Sequence, residues 1–148
     1  MSKNRILTIE QIKESENKFI SKNSEDQLLD IAGRKIGNFL LKKFKGKSVL
    51  FICGKGNNGK DGIKASKFLR KKIKNKVFLV SKIQSNTKLK TLQSLIKSHE
   101  IIVDCFFGTG LNRILSKFDQ KIIELINNSK RKIISVDIPS GLNSDTGQ

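Results

Sequence analysis

The stretch SVLFICGKGNNGKDG, from Ser48 to Gly62, decides the fold of this 148-residue chain. It begins with a continuous apolar run, which is typical of a strand buried on both faces of a sheet. Directly after that run, Gly54, Gly56 and Gly59 have the G-x-G-x-x-G spacing of a loop that opens a helix and receives a phosphate. A strand, a glycine-rich turn and a helix in this order predict an α/β domain with a parallel sheet.

Beyond this stretch, apolar runs and amphipathic stretches keep alternating. The apolar runs predict four strands, each of the kind buried on both faces, at residues 48–53, 76–80, 101–104 and 133–137. Between them, apolar residues recur at helical spacing and predict three helices. Because a parallel connection needs a crossing element, the pattern predicts one α/β domain over residues 1–148, with a parallel sheet.

Two more helices are predicted before the first strand. A capping-box spacing occurs twice and marks helix starts at Thr8 and Ser24. Gly33 and Gly37 lie on or beside the apolar stripe of the second helix. Because each glycine weakens a helix by roughly 1 kcal/mol relative to alanine, the pair predicts a close approach of this backbone to another element. The stripe consists of Leu28, Leu29, Ala32, Ile36, Phe39, Leu40 and Phe44.

The composition is strongly basic, with 30 Lys and Arg residues, 13 acidic residues and a formal net charge of +17. The basic residues are spread along the sequence without the interleaved aromatic residues of a base-stacking surface, so a generic basic surface is expected and nucleic acid is not. No apolar stretch is long enough for a signal peptide or a membrane span. Cys53 and Cys105 lack the number and spacing of a zinc site or a disulfide framework and are expected to be buried thiols. We therefore expect a cytoplasmic protein without a membrane partner.

The glycine-rich loop matches two phosphate-binding motifs, each imperfectly. As a dinucleotide-binding loop it lacks the acidic residue expected about 20 residues later. As a P-loop it has Asp61 where a magnesium-binding hydroxyl belongs. Backbone amides at a helix N-terminus nevertheless attract phosphate, and glycine lets the phosphate come close. A plain tight turn would account for the glycines, but not for Asn57, Asn58 and Asp61.

Two further loops follow strands and carry carboxylates. Asp104 ends the third predicted strand, ahead of a glycine-rich loop that runs to Arg113, and Asp137 ends the fourth, ahead of Pro139 and Gly141. An Asp at a strand end is often only a turn residue. In an open parallel sheet, however, the ligand crevice lies outside the carboxyl ends of the strands. Two carboxylates beside an anion-binding loop therefore predict a site.

The three loops together resemble one family. Gly-Asn-Asn-Gly-x-Asp-Gly from Gly56, Val-Asp-x-x-Phe-Gly-Thr-Gly-Leu-x-Arg from Val103 and Val-Asp-Ile-Pro-Ser-Gly from Val136 resemble, in this order and spacing, the NAD(P)H-hydrate epimerase family, also called the YjeF N-terminal domain. The stretch Leu-Leu-Asp-Ile-Ala-Gly from Leu28 is similar to the helical signature of that family, so the likeness spans nearly the whole chain. The resemblance implies a Rossmann-like, three-layer α/β/α fold with a mainly parallel sheet. It also implies a homodimer, a bound potassium ion and interconversion of the R and S forms of the hydrates NADHX and NADPHX.

The same resemblance assigns site residues by motif. It implies potassium ligands at Asn58, Asp104 and Ser140, and amide, carboxylate and hydroxyl or backbone oxygens suit a hard cation. Arg113 could offset phosphate charge. The residues implied to contact the dinucleotide come from all three loops and are Asn57, Asn58, Gly59, Lys60, Asp61, Gly108, Thr109, Gly110, Leu111, Asn112, Arg113, Ile114 and Asp137.

The implied substrate suggests a catalytic residue. Epimerisation at the hydroxylated C6 of the ring can proceed by loss of hydroxide and addition of water from the other face, which needs a group that gives and then takes a proton. Our hypothesis gives this role to Asp137, whose pKa burial would raise. The alternative is that Asp137 only orders the turn at residues 139–141.

Two departures from the family pattern bear on activity. Lys60 stands where the family usually has glycine, and the family domain continues into further strands beyond Gly147, so the chain is expected to be incomplete at its C-terminal end. The alternative function is a non-catalytic Rossmann-like scaffold that binds RNA or a protein partner. A phosphotransferase is disfavoured because Asp61 replaces the hydroxyl of the P-loop.

Overall fold

A computed structural model describes residues 7–80, 85–111, 113–144 and 146–147 of the chain. Within these ranges the elements follow in the order α1 (Ile9–Ile20), α2 (Glu25–Lys43), β1 (Val49–Cys53), α3 (Asn57–Phe68), β2 (Asn75–Leu79), α4 (Asn86–Ser98), β3 (Ile101–Cys105), α5 (Lys117–Asn127) and β4 (Lys132–Ser135). Both predicted capping boxes form, at Thr8 for α1 and at Ser24 for α2. Among the helices of these ranges, none is long and apolar enough to cross a membrane.

The four strands form one parallel sheet in the order β2-β1-β3-β4. Their amino-terminal residues are in register, because Val49 pairs with Asn75 and with Ile101, and Ile101 pairs with Lys132. The strand order changes direction at β1, which has β2 on one side and β3 on the other. In open α/β sheets a ligand crevice lies at such a switch point, outside the carboxyl ends of the strands.

Helices cover both faces of the sheet. One apolar cluster joins α2 and α3 to the strands through Leu40, Ala65 and Leu69, which pack with Phe51 and Val103. A second cluster joins α4 and α5 to the other face through buried residues that include Leu50, Ile52, Leu92, Ile96, Ile102, Ile122 and Ile126. The predicted three-layer α/β/α architecture with a parallel sheet is therefore confirmed.

Two features of the predicted strands are wrong. β1 and β3 are buried at every position, but β2 and β4 are partly exposed, because each of them has a sheet neighbour on one side only. The last strand ends at Ser135 and not at Asp137. Asp137 has a left-handed backbone with a φ of 62°, which a strand does not allow, so this residue belongs to the following loop.

The glycines of α2 lie where this helix meets α3. A Cβ on Gly33 would lie 2.6 Å from the Cβ of Lys64 and 2.8 Å from the backbone nitrogen of Ala65. A Cβ on Gly37 would overlap the ring of Phe68. The predicted close approach is confirmed, and it packs the middle of α2 against the second half of α3.

The two cysteines lie side by side beneath α3. Cys53 and Cys105 are register partners on β1 and β3, and both are free and fully buried, as predicted. A Cβ on Gly62 would lie 2.6 Å from Sγ of Cys105 and 2.8 Å from Sγ of Cys53, so the backbone of α3 rests directly on the two sulfurs. A hydrogen bond with Cys53, together with burial, raises the pKa of the Cys105 thiol.

Candidate active site

A cleft of about 1410 Å³ opens at the carboxyl ends of the strands. The loops after β1, β3 and β4 line it, together with α1 and the first half of α2. Pockets for drug-sized ligands have volumes of roughly 300–1,000 Å³, so this cleft has room for a longer ligand such as a dinucleotide. Its position is the one expected for a ligand crevice at the β1 switch point.

The glycine-rich loop after β1 brings backbone amides to the cleft. A Cβ on Gly54 would overlap the carbonyl oxygen of Phe106, and one on Gly59 would overlap that of Gly54. α3 then begins at Asn57 with Gly56 as its N-cap, and no side chain of the described residues caps this helix. A Cβ on Gly56 would meet no atom within 4 Å, so this residue faces open space. The first amides of α3 are therefore available to an anion, which the helix dipole also attracts.

Asn58 connects this helix to the loops that follow β3 and β4. Its side chain is buried, and its Nδ2 donates hydrogen bonds to the carbonyl oxygens of Phe107 at 2.7 Å and Val136 at 3.3 Å. Its Oδ1 is also buried, but it has no hydrogen-bond partner among the described residues. Because an unpaired buried polar atom costs free energy, Oδ1 is an acceptor that a water, a ligand donor or a cation can satisfy.

Asp104 and Ser140 form a hydrogen-bonded pair under the same loop. The carboxylate of Asp104 accepts hydrogen bonds from the backbone nitrogen of Ser140 at 2.9 Å, from its hydroxyl at 2.5 Å and from the amide of Phe106 at 3.1 Å. The Ser140 hydroxyl oxygen in turn accepts a hydrogen bond from the amide of Phe107 at 2.8 Å. Both residues are buried, and neither lines the cleft. The backbone of Phe107 thus joins this pair to Asn58, so the structure brings the three predicted potassium ligands together.

The donor set at this point suits one class of cation. Across the described ranges, no group of three or more His, Cys, Asp or Glu side chains could hold a metal ion. The three residues instead offer one carboxylate, one hydroxyl and an amide oxygen with no hydrogen-bond partner in the part of the chain that the structure describes. Hard cations prefer such oxygen ligands, so the arrangement fits a cation of this class.

Asp137 lies at the cleft next to the loop that follows β3. A Cβ on Gly108 would lie 3.0 Å from Oδ2 of Asp137 and 3.1 Å from the Cβ of Asn58, so glycine at this position leaves room for both side chains. Asp137 is exposed, but desolvation by the surrounding protein raises the pKa of its carboxyl group. Its left-handed backbone costs roughly 1–2 kcal/mol, and such strained residues cluster at functional sites.

Asp61 supplies a second carboxyl group to the cleft. Desolvation, followed by the negative charges of Asp137 and Glu16, raises its pKa from 3.8 to about 7, against a smaller opposing effect of Lys60. The cleft therefore contains a carboxyl group that is readily protonated at neutral pH. Glu16 belongs to α1, so this helix contributes to the electrostatics of the cleft.

Two basic residues, which the family resemblance implied to contact the dinucleotide, have acidic partners. Nζ of Lys60 lies 2.6 Å from Oε1 of Glu25 on α2, and Lys60 does not line the cleft. Arg113 does line the cleft, and its Nη1 lies 3.0 Å from Oδ2 of the buried Asp119. The Arg113 guanidinium also lies 5.3 Å from the centre of the Phe107 ring. Arg113 is thus fixed at the cleft, whereas Lys60 is directed towards α2.

The structure brings most of the predicted dinucleotide contacts into one cleft. Those that line it are Asn57, Asn58, Asp61, Gly108, Thr109, Gly110, Leu111, Arg113 and Asp137. Gly59, Lys60 and Ile114 do not line it, and Ile114 is 93% exposed. Asn112 lies outside the described residues. The contacts with a dinucleotide stay predictions.

Sequence reasoning missed the part of the cleft that comes from the first two helices. These residues are Ile9, Ile12, Lys13, Glu16, Asn17, Ile20, Glu25, Leu28, Leu29 and Ala32. α1 has regularly spaced isoleucines and yet no buried residue. An amphipathic helix needs something to cover its apolar side, so this spacing was a signal that could have placed α1 at a ligand cleft.

The chain matches a family model described as "YjeF-related protein N-terminus" over residues 25–96 and 79–148. The bifunctional NAD(P)H-hydrate repair enzyme Nnr of Dictyoglomus turgidum is 34% identical over 97% of this chain and 33% of that protein. The NAD(P)H-hydrate epimerase of Plasmodium vivax is 34% identical over 82% of this chain and 49% of that protein. The NAD(P)H-hydrate epimerase of Elusimicrobium minutum is 31% identical over 84% of this chain and 69% of that protein. The chain spans a third to a half of the length of the first two relatives.

Proposed function

Because this chain belongs to the family of YjeF-related protein N-termini, we propose that it binds NADHX or NADPHX and interconverts their R and S forms. The observation that carries this proposal is the convergence of three loops on one cleft. The amides at the start of α3, the carboxyl group of Asp137 and the buried amide oxygen of Asn58 all lie at the same end of the sheet. A pyrophosphate and a reacting ring need such anion-binding and proton-transferring groups within the reach of one ligand.

The chemistry of the cleft supports binding of the pyrophosphate at the glycine-rich loop. Among the described residues nothing lies within 4 Å of a Cβ on Gly56 and no side chain caps α3, so phosphate oxygens can reach the first amides of the helix. Arg113 lies at the same cleft in an ion pair with Asp119, and the remaining N–H groups of its guanidinium could donate hydrogen bonds to phosphate oxygens. Apolar side chains of α1 and α2 and the rings of Phe106 and Phe107 provide walls for the aromatic parts of the ligand.

In the proposed mechanism Asp137 moves one proton twice. In its protonated form it donates a proton to the C6 hydroxyl, the C–O bond breaks, and the lone pair of the ring nitrogen compensates the charge as water leaves. Water then adds to C6 from the other face, and the carboxylate of Asp137 takes the proton back. Desolvation, which raises the pKa of Asp137, favours the protonated form that this first step needs.

The proposal includes a potassium ion held by Asn58, Asp104 and Ser140. The unpaired Oδ1 of Asn58 and the hydrogen bonds that join the other two residues to Phe107 support this assignment. The bound ion would supply positive charge near the pyrophosphate and help to fix the loops that bind it. Two further proposals are a homodimer, which depends on the family resemblance alone, and a cytoplasmic location, which depends on the composition of the sequence.

A coupled assay tests the proposed activity. Purified protein is added to R-hydrate together with a dehydratase that accepts only the S form, and consumption of hydrate is followed over the spontaneous background. We expect acceleration by the natural chain and a loss of roughly 100-fold or more for Asp137→Asn, since general acid–base catalysis contributes about 10²–10⁴-fold. Asp26→Asn is the matched control, because Asp26 is exposed and pairs with Lys64 outside the cleft.

Each arm of the assay can contradict a separate part of the proposal. If the natural chain gives no acceleration, the epimerase proposal fails and a binding scaffold becomes the better account. If Asp137→Asn keeps full activity, Asp137 has no role in proton transfer and only orders its turn.

A further inference from the structure

The end of the sheet opposite the cleft carries an unusual concentration of positive charge. We use the name basic edge for residues 42–47, 67–76, 97–100 and 130–132, which lead into the amino ends of the four strands. The basic edge contains 14 of the 30 Lys and Arg residues of the chain and only one of its 13 acids, Glu100. The basic residues are Lys42, Lys43, Lys45, Lys47, Lys67, Arg70, Lys71, Lys72, Lys74, Lys76, Lys97, Lys130, Arg131 and Lys132.

The fold, and not the sequence, gathers these charges. The first residues of the strands are in register from β2 to β4, so the segments that precede them lie along one edge of the sheet. With strands about 4.8 Å apart, this edge is roughly 15 Å wide. The sequence led us to expect a generic basic surface because its lysines are spread out along the chain. In the folded protein nearly half of the basic residues meet at one end.

Most of these cations face solvent and have no acidic partner among the described residues. All of them are exposed except Arg131, which is half-buried and donates a hydrogen bond to the carbonyl of Lys97 at 2.7 Å. Among the ion pairs found within the described residues, Lys47 with Glu100, at 2.7 Å, is the pair that involves the basic edge. A field of like charges that the protein does not neutralise attracts polyanions.

Ordinary helix chemistry accounts for only part of this charge. Basic residues in the last turn of a helix are stabilising because they complement the helix dipole, and four of the set occupy such positions in α2, α3 and α4. The other ten lie beyond the helix ends. Lys71 and Lys130 among them have left-handed backbones, with φ of 67° and 55°, where glycine is the usual residue. Lysine at these two positions is less favourable for the backbone than glycine would be, but it adds a positive charge to the basic edge.

The apolar surface favours a nucleic acid over a membrane as the partner. Basic surfaces that bind bilayers usually also insert apolar side chains. The exposed large apolar residues of the described chain are Leu7, Ile12, Ile31, Phe39, Leu79 and Ile114, and none of them belongs to the basic edge. Electrostatic contact with a phosphate backbone needs no such insertion.

The aromatic residues near the basic edge argue against base recognition. Lys72 Nζ lies 3.4 Å above the ring of Phe68, and Lys132 Nζ lies 5.5 Å from that of Phe44, so lysines cover both rings. Bases of a single strand would need open aromatic faces on which to stack. The surface is therefore suited to a backbone and not to a particular sequence.

We propose that the basic edge binds the phosphate backbone of a nucleic acid, independently of base sequence, at the end of the sheet opposite the cleft. The proposal does not depend on the epimerase activity, because the two surfaces lie at opposite ends of the strands. The sequence predicted that nucleic acid is not a partner, because the basic residues are spread along the chain. The proposal revises that prediction, since the fold brings many of them together.

Charge neutralisation with a matched control tests this proposal. Binding of an unstructured 20-nucleotide RNA is measured by fluorescence anisotropy over a range of salt concentrations. The test variant carries Lys45→Gln, Lys71→Gln, Lys74→Gln and Lys130→Gln. The control carries Lys18→Gln, Lys22→Gln, Lys90→Gln and Lys117→Gln, four exposed lysines outside the basic edge. Both variants lose the same net charge, and circular dichroism checks that both remain folded.

We expect the natural chain and the control to bind with similar, strongly salt-dependent affinity. The test variant should bind at least roughly tenfold more weakly at low salt, and its slope of log K against log salt should fall by up to about 3, at roughly 0.7 for each lost phosphate contact. Equal weakening of the two variants, or no binding by the natural chain, would overturn the proposal. Tight binding to phosphatidylserine vesicles that RNA does not displace would overturn it in favour of a membrane. Epimerase activity of the test variant should equal that of the natural chain, so failure here stays separate from failure in the coupled assay.

Discussion

At the scale of single residues, Asn58 is the side chain whose environment points most directly to a ligand. Both of its amide hydrogens face carbonyl oxygens of neighbouring loops, and its buried oxygen has no partner in the described part of the chain. The amide therefore fixes the loops with one end and presents an acceptor with the other. A cation at Oδ1 would remove the cost of this unpaired oxygen.

Potassium should stabilise the protein through Asn58. We expect a higher melting temperature in KCl than in choline chloride at equal ionic strength. When potassium is at 100 times its Kd, binding should raise the free energy of unfolding by about 2.7 kcal/mol. Asn58→Leu, which has no oxygen, should lose the difference between the two salts. Asn58→Asp, which retains an oxygen, should keep it. A potassium effect that survives unchanged in Asn58→Leu would move the ion away from this residue.

Asp61 should make stability depend on pH. Its pKa in the folded protein, about 7, exceeds the ordinary value of 3.8, so protonation favours the folded state. This contribution is complete below about pH 4 and is lost as the pH rises through 7. Asp61→Asn should therefore raise the free energy of unfolding by about 1–2 kcal/mol at pH 8, after allowance for solvent screening, and by less at pH 4.5.

Urea unfolding at the two pH values measures this effect, with Glu14→Gln as the control. Glu14 is exposed on α1, and its removal should change stability equally little at both pH values. An equal gain for Asp61→Asn at pH 4.5 and pH 8 would contradict the argument from desolvation.

Motifs predicted which residues gather at the cleft but not what each of them touches. The order of the three loops was enough to place Asn58, Asp104 and Asp137 at one end of the sheet. The sequence could not show that Lys60 pairs with Glu25, 35 positions earlier, because that contact depends on how α2 packs against α3. Partners distant in sequence follow from tertiary packing, which a local pattern does not encode.

At the scale of elements, the contact between α2 and α3 depends on two residues that lack side chains. Gly33 would normally be a weak position in a helix, and alanine there would favour the helix by roughly 1 kcal/mol. In this protein a Cβ on Gly33 meets the backbone of α3 at 2.8 Å, and backbone atoms cannot rotate away. Overpacking of this kind costs about 1–3 kcal/mol.

Gly33→Ala should therefore lower the free energy of unfolding by up to about 2 kcal/mol, which is the overpacking cost less the gain from the better helix propensity of alanine. Asn38→Ala, at an exposed position of the same helix, is the matched control and should leave stability unchanged or slightly higher. Urea unfolding of both variants measures the difference. A Gly33→Ala protein as stable as the Asn38→Ala protein would mean that the two helices can separate without cost.

Strand positions were predictable because a short apolar run between two amphipathic helices is typical of a strand buried in a parallel sheet. The sequence could not predict which strands lie at the edges of the sheet, because Val77 and Phe78 of β2 are as apolar as residues in the central strands. Only the strand order β2-β1-β3-β4 reveals that β2 and β4 each lack one neighbour. The end of β4 was not predictable either, because the apolar run continues to Val136 and the sequence does not show the left-handed backbone of Asp137.

At the scale of the whole molecule, the protein has two chemically different ends. The carboxyl ends of the strands hold partly desolvated carboxyl groups and a cleft, and the amino ends hold nearly half of the positive charge. Net charge alone could not predict this division, because a total of +17 is compatible with any distribution. The parallel arrangement of the strands produces it, since the helix before each strand returns the chain to the same edge.

The position of the two cysteines under Gly62 gives the molecule an internal reporter. No room exists between the sulfurs and the backbone of α3 for an added oxygen or an alkyl group, and the raised pKa of Cys105 keeps its thiol protonated. A thiol reagent can therefore modify these sulfurs only in molecules in which α3 has lifted from the sheet. The first amides of the same helix lie at the cleft. The rate of thiol labelling in the natural protein therefore reports how often α3, and the ligand-binding loop that precedes it, opens from the sheet.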